Sequence, residues 1–526
     1  MPSVRLSVHK RLWIALGAIF LFFCAAGGFV YYRARHSEDR LRQFVVQQLS
    51  DHFHSEVKLD TLQVHIFPRI AVDGQGLVLR WHNRPDLPPM IRIGKFNFVV
   101  SIGGLLRPIK HIPLIELSDM VVTIPPRERQ KQPAEPPTQT PSKKHVAVLV
   151  DKIVCDSTDI IILPKNADKV PLDWDIHNLV LYSVGQDQPF SFVGNLTNGK
   201  PKGEIQTTGE FGPWDPEDPG GSPVSGQYKF TNADLDPFPG IGGTLSSTGK
   251  YSGVLAELQV EGETDTPNFS LDKVGRPVSL HTDFSATVDG TNGDTLLHPV
   301  NARLVKTVIV TNGKVIGVPQ QGHLITMDAV IPDGRIQDIL NLALNSDKPL
   351  MTGPVKLKAK IVIPPGSTKA MEKLILDGQF GVTDANWSNP QLRSKLKGLS
   401  RRAQGKPGDQ DVGSAVSDLK GSFHMDKGVV NFRSLSFAVQ GARIDLAGTY
   451  GLRGGELDMK GHLRLQAKLS DTVTGTKSFL LKALDPFFAK NGAGTELPIT
   501  ISGTREKPVF GVSVFHKTIK KNLAGF

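Results

Sequence analysis

Residues whose types and spacing could support chemistry are few and scattered along this chain. His52 and His54 flank Phe53, but positions i and i+2 of a helix point apart, and no third ligand lies close in sequence, so solvent-facing histidines fit better than a metal pair. The run Asp289 to Asp294 (DGTNGD) has the composition of a calcium loop without the remaining spacing or the downstream Glu, and a Gly-rich hairpin turn accounts for it. Asp283 and Asp289 are carboxylates that a β-rich cleft could pair for hydrolysis of a glycan or lipid, a reading that rests on residue type alone. There is no G-x-S-x-G elbow, no G-x-x-x-x-G-K-[ST] phosphate loop, no H-E-x-x-H zinc helix and no dinucleotide fingerprint after a strand. Asn195, Asn268 and Asn386 open glycosylation sequons, a pattern short enough to arise by chance. The two cysteines, Cys24 and Cys155, are too few for a disulfide framework or a multi-cysteine zinc site. The expectation is therefore a non-enzymatic protein with no catalytic residue, no metal and no cofactor.

The elements around these residues point to a different kind of function. The uncharged run Leu12 to Tyr32 is long enough, at about 1.5 Å per helical residue, to cross a hydrocarbon core of roughly 30 Å. Trp13 near one end and Tyr31 and Tyr32 at the other suit the two interfaces, with Leu12, Phe20 and Phe22 among the apolar anchor residues. A cleaved signal peptide is the competing reading, but its apolar stretch is shorter and its cleavage context has small residues in place of Tyr-Tyr-Arg. Basic residues flank both ends of the run, so charge leaves the orientation open. Ser37 then caps a short amphipathic helix with Leu41, Phe44, Val45, Leu49 and Phe53 on one face, which packing onto a following sheet explains better than membrane-surface binding.

From Val57 the apolar period changes to two and stays so for most of 526 residues, punctuated by 52 Gly and 37 Pro. The alternation is most regular where Val430 and Phe432, then Leu435, Phe437 and Val439, then Ile444 and Leu446 recur. Three helical interruptions are expected, at Arg335 to Leu344, Gln391 to Ala403 and Ser478 to Lys490. The Pro-rich stretch 125–145 has no apolar period and reads as an exposed, extended linker. The resulting organisation is 1–35, N-terminal tip and transmembrane helix; 36–124, helix plus sheet; 125–145, linker; 146–330, β-rich middle; and 331–526, β-rich region with short helices. The expected fold is mainly β, with elongated, curled antiparallel sheets forming an open groove or a partly open barrel. The net charge of +10 is spread among 51 acidic residues without a basic tract interleaved with aromatics, which argues against nucleic acid and suits anionic headgroups equally well.

The order of these features resembles the AsmA-like family of bacterial envelope proteins. The resemblance lies in the N-terminal apolar helix and the stretch SEVKLDTLQVHIFPRIAVDGQGLVLR, in IPLIELSDMVVTIPP before the linker and VLVDKIVCDSTDIIILP after it, and in the closing LPITISGTREKPVFGVSV with Pro498, Gly503 and Pro508. It implies a single-pass inner-membrane anchor, a periplasmic body, and kinship with chorein-type bridge-like proteins whose curled sheets hold phospholipid tails in an apolar groove. Membrane phospholipids are then the expected partners, in support of outer-membrane lipid homeostasis, with Val430, Phe432, Leu435, Phe437, Val439, Ile444 and Leu446 as candidate lipid contacts. The alternative is a non-enzymatic scaffold or regulator of outer-membrane protein assembly, acting through other envelope proteins.

Overall fold

The computed structural model describes residues 42–522 except positions 44, 48, 200, 239, 345 and 369 and segments 51–55, 66–69, 82–85, 101–109, 126–147, 164–170, 186–187, 214–220, 272–274, 483–484, 490–493 and 515–516. The apolar run Leu12 to Tyr32, and with it the anchor residues Leu12, Trp13, Phe20, Phe22, Tyr31 and Tyr32, lies outside the described residues. Among those that are described, no helix is long and apolar enough to cross a membrane. The chain is mainly β, with few helices and open, mixed sheet pairing. It divides into two compact units, one drawn from Met1–Lys165, Pro171–Thr197 and Gln206–Gly226 and the other from Asn166–Val170, Asn198–Ile205 and Gln227–Phe526.

The first unit contains β1 (Glu56–His65), β2 (Ile70–Arg80), β3 (Ile91–Val100), β4 (Lys110–Ile112), β5 (Leu114–Ile124), β6 (Val148–Ile162), β7 (Leu172–Gly185) and most of β8 (Phe190–Asn198). β1, β2, β3 and β5 pair antiparallel in that order. The period-two apolar residues become one buried face: Val57, Leu59, Leu62, Val72, Leu77, Leu79, Ile93 and Met120 form the core with Met90 and Cys155. Val45 and Leu49, from the expected amphipathic stripe, pack against this core together with Val46. Gly74 is required where it stands, because the ring of its register partner Phe96 occupies the space that a Cβ would take.

The expectation of purely antiparallel sheets is corrected here. β6 runs parallel to both β4 and β5 and then antiparallel to β7, which pairs with β8. Adjacent antiparallel strands need only a tight turn, whereas parallel neighbours need a crossover of about a dozen residues or more. The Pro-rich stretch supplies that length, so the strands on either side of it are hydrogen-bonded neighbours in one sheet.

β9 (Gly203–Phe211) and β10 (Pro223–Asp234) contribute residues to both units. The second unit continues through β11 (Ile241–Gly242), β12 (Thr244–Val254), β13 (Glu257–Leu271), β14 (Val278–Val288), β15 (Thr295–Leu304), β16 (Thr307–Val318), β17 (Gly322–Arg335), β18 (Met351–Thr352) and β19 (Pro354–Ile363). Its remaining strands are β20 (Ile375–Trp387), β21 (Ser417–Asp426), β22 (Val429–Val439), β23 (Ala442–Gly451), β24 (Glu456–Leu465), β25 (Thr495–Thr504), β26 (Pro508–Val514) and β27 (Lys517–Asn522). From β12 onward it is an antiparallel meander in which each strand pairs with the next, except that β17 pairs with β19 and the short β18 pairs with β20.

Two of the expected helices pack on buried clusters of this meander. Helix Ile336–Ala343 sets Ile336, Ile339 and Leu340 on a buried cluster of Ile331, Met351, Val355, Val382 and Ala385. Its buried Asp338 is not left unsatisfied, since it accepts hydrogen bonds from Thr307 Oγ1 at 2.8 Å and the Lys306 N–H at 3.2 Å. Helix Pro390–Ala403 starts where Asn389 accepts from the N–H groups of Gln391 and Leu392, with proline in the first helical turn. Its Leu396 and Ala403 pack on Val439 and Ala442. The third expected helix, Ser478 to Lys490, is described as two shorter ones, Thr476–Lys482 and Asp485–Phe488.

Cys155 is fully buried, and that burial pushes its thiol up to about 12. Thiolate, the reactive form, is then scarce at neutral pH. We expect native protein to leave Cys155 unmodified by iodoacetamide at pH 8 and denatured protein to be labelled there. Rapid native labelling, read by peptide mass spectrometry, would contradict the packing around β6.

Candidate functional site

The strand register answers which residues of the second unit share a face. Leu357, Phe380, Gly421, Leu435 and Leu446 are successive cross-strand partners from β19 to β23, with Ile331 of β17 opposite Leu357. The neighbouring row runs Val355, Val382, Leu419, Phe437, Ile444, Leu463 and Leu497. A third joins Gly378, Phe423, Phe432 and Gly448. Side chains alternate faces along a strand, and partners across a ladder share one, so these rows form one apolar face.

All seven candidate lipid contacts lie on that face, including those out of step in the sequence. Val430 and Phe432 are even-numbered, whereas Leu435, Phe437 and Val439 are odd. The register between β21 and β22 slips between Ser422, opposite Ser434, and Phe423, opposite Phe432, leaving Arg433 as the extra residue. This bulge returns the second half of β22 to the face of the first. Large and small residues alternate across the ladder: Phe380 faces Gly421, and Phe423 faces Gly378. Each ring lies against its glycine, about 3 Å from where a Cβ would stand. The two rings are tilted at 53° with centroids 6.2 Å apart.

The candidates differ in their surroundings. Val439 is buried in the cluster capped by helix Pro390–Ala403, and Phe437 packs against the same cluster, with Trp387 edge-on at 6.3 Å. Val430, Phe432, Leu435, Ile444 and Leu446 are half-buried.

A cavity of about 730 Å³ in the same unit touches the whole Ile331 to Leu446 row, and also the two rows beside it. One is Val330, Lys358, Gln379, Ser422 and Ser434; the other is Lys356, Gly381, Lys420, Ser436 and Asp445. Alternation places both flanking rows on the face opposite the apolar one. The next apolar rows, such as Val355, Val382 and Leu419, are not part of the lining. The cavity is thus a valley between two polar ridges, floored by the backbone of the apolar row. This polar cleft is a feature that reading the apolar period missed, and its only sequence signal is the alternating VKLKAKIV of β19.

Two acids of the polar face, Asp445 and Asp377, are already matched. Asp445 accepts from Arg443 Nε at 2.9 Å and Arg464 Nη1 at 2.8 Å. Burial alone would raise its carboxyl, but hydrogen bonds from Arg443 and Ser436 and the two guanidinium charges hold it below the ordinary range. Asp377 is lowered first by its hydrogen bond with His424 at 2.9 Å, and Arg433 also donates to it at 2.6 Å.

The residues singled out for catalysis do not meet. Asp289 accepts from the Thr291 N–H at 2.9 Å and from Asn292 Nδ2 at 2.8 Å, which makes DGTNGD the turn between β14 and β15 that its composition suggests. Asp283 lies six positions earlier on β14, about 20 Å away at strand rise. Asp283 instead belongs to an exposed cluster that the sequence did not reveal, because its members come from two strands. Register sets Glu263 opposite Asp283 and Asp265 opposite His281. His281 Nδ1 lies 2.7 Å from Asp265 and Nε2 lies 3.5 Å from Asp283. Glu263, His281 and Asp283 could each turn one ligand atom toward a cation, the three lying within 4.8 Å of one another. His52 and His54 are outside the described residues in position 54 and 52 alike.

The His281 imidazole is raised above its ordinary value, first by the hydrogen bond to Asp265 and then by the charges of Asp265 and Asp283, against burial and Arg303. A raised folded value means that this group stabilises the fold below the ordinary histidine range and that the contribution fades as pH rises through the folded value. An NMR titration should find the His281 midpoint above 6.5, and Asp265→Asn should lower it. A midpoint unmoved by that substitution would mean that the hydrogen bond does not govern the titration.

No protein-family model, curated protein or solved structure matches this chain.

Proposed function

We propose that the protein is an inner-membrane-anchored, periplasmic, non-enzymatic protein that binds or transfers phospholipid across the envelope, with acyl chains lying along the apolar face of β17 to β25. The observation that carries this reading is the register itself: rows of Leu, Ile, Val and Phe run across successive strands on one face, with a bulge maintaining the phase. Each methylene removed from water contributes about 0.8 kcal/mol. Apolar contact is also non-directional, so a tail can slide along such a surface without a fixed binding residue. The resemblance to AsmA-like proteins and the apolar run Leu12 to Tyr32 support the anchor and the compartment. Within the candidate set, Val430, Phe432, Leu435, Ile444 and Leu446 are assigned to lipid, while Val439 serves the core beneath helix Pro390–Ala403.

The test is mass spectrometry of lipids that co-purify with the full-length chain in mild detergent. Phospholipid retained in near-stoichiometric amount should fall severalfold in Val430→Asp/Phe432→Asp, while a charge at exposed Lys460 on the other face, Lys460→Asp, should leave it unchanged. Lipid-free wild-type protein, or equal loss from both variants, would overturn the proposal.

A further inference from the structure

The polar cleft has a composition that lipid tails do not explain. Among the described residues, Lys356, Lys358 and Lys420 make no ion pair, while Asp445, the acid in the lining, is held by Arg443 and Arg464. The three ammonium groups are exposed on the face that carries the valley, and their flexible stems can turn toward an anion that enters it.

The position between them is Gly381. It is the register partner of both Lys356 and Lys420, which places the two lysines about 10 Å apart, with the glycine midway between them. Lys358 is about 7 Å along the strand from Lys356, on the same face. A Cβ at Gly381 would meet nothing within 4 Å, so the ridge that carries Lys356 and Lys420 has a gap at this point. Gln379, two positions before Gly381 on β20, adds a neutral donor. Flexible lysine stems can converge on a group seated there, each ammonium offering three donors.

We infer that the cleft over Gly381 binds a phosphate group, held by Lys356, Lys358 and Lys420. Phosphate carries the charge that the three lysines lack, and its several oxygens match donors arriving from separate directions. The group is either the headgroup of an anionic phospholipid or a soluble phosphate ester. The site lies on the face opposite the apolar rows and does not rest on the lipid-tail reading.

Two substitutions separate a built site from diffuse attraction. Lys356→Ala/Lys420→Ala removes charge at exposed positions. Gly381→Val keeps every charge and fills the gap between the two lysines with a residue suited to a strand, at a position outside the left-handed region. Isothermal titration of the full-length chain with inorganic pyrophosphate, and with neutral detergent micelles doped with phosphatidylglycerol, supplies both sources of phosphate. We expect saturable binding of one probe that weakens by about tenfold or more in each variant, a loss of the size expected when charge-assisted hydrogen bonds are removed. Pyrophosphate binding assigns the site to a soluble ester, and binding of doped micelles alone assigns it to a lipid headgroup. Failure of both probes, or binding that Gly381→Val leaves unchanged, overturns the inference. Val430→Asp/Phe432→Asp, on the other face, should not alter it.

Discussion

The antiparallel ladder imposes a parity rule on which everything in the second unit depends. Once a residue is paired across the meander, its face is set for every strand that follows, and one slipped position would turn an apolar row into the opposite surface. Leu357, Phe380, Leu435 and Leu446 stay on one face only because the register holds from β19 through β23. Where the residue count on a strand breaks parity, the structure inserts an extra residue, as at Arg433, and the alternation resumes in phase.

That rule gives the sheet two surfaces with different chemistry. The apolar surface is covered where helices dock: Ile336–Ala343 over Val355 and Val382, and Pro390–Ala403 over Val439 and Ala442. Between these helices, glycines opposite phenylalanines limit how much of the face protrudes. The polar surface is organised by ion pairs within and across strands, which engage Asp377 and Asp445 and leave Lys356, Lys358 and Lys420 without an ion pair among the described residues. The same alternation thus creates an apolar strip and, one residue to either side, a basic cleft.

The strands were readable because each is a local pattern of period two, and the helices at 336–343 and 390–403 because each is a local break in that pattern. The turn at Asp289 was readable from its Gly and Asn content for the same reason. The parallel pairing of β5 with β6 was not, because the period of a strand does not encode the direction of its neighbour. The cluster of Glu263, Asp265, His281 and Asp283 was hidden similarly, since its charges approach only through the pairing of β13 with β14.

By itself the sequence determined the class of fold, the alternating strands, the apolar run near the N-terminus and the membership of seven residues in a regular apolar pattern, because these follow from spacing along the chain. Only the tertiary structure decided that the seven share a face across a break in parity, that Val439 belongs to a helix-capped core, and that Lys356 and Lys420 flank an empty position at Gly381. Those outcomes depend on register between strands, which is set by hydrogen bonds among residues far apart in the chain and has no signature within any single strand.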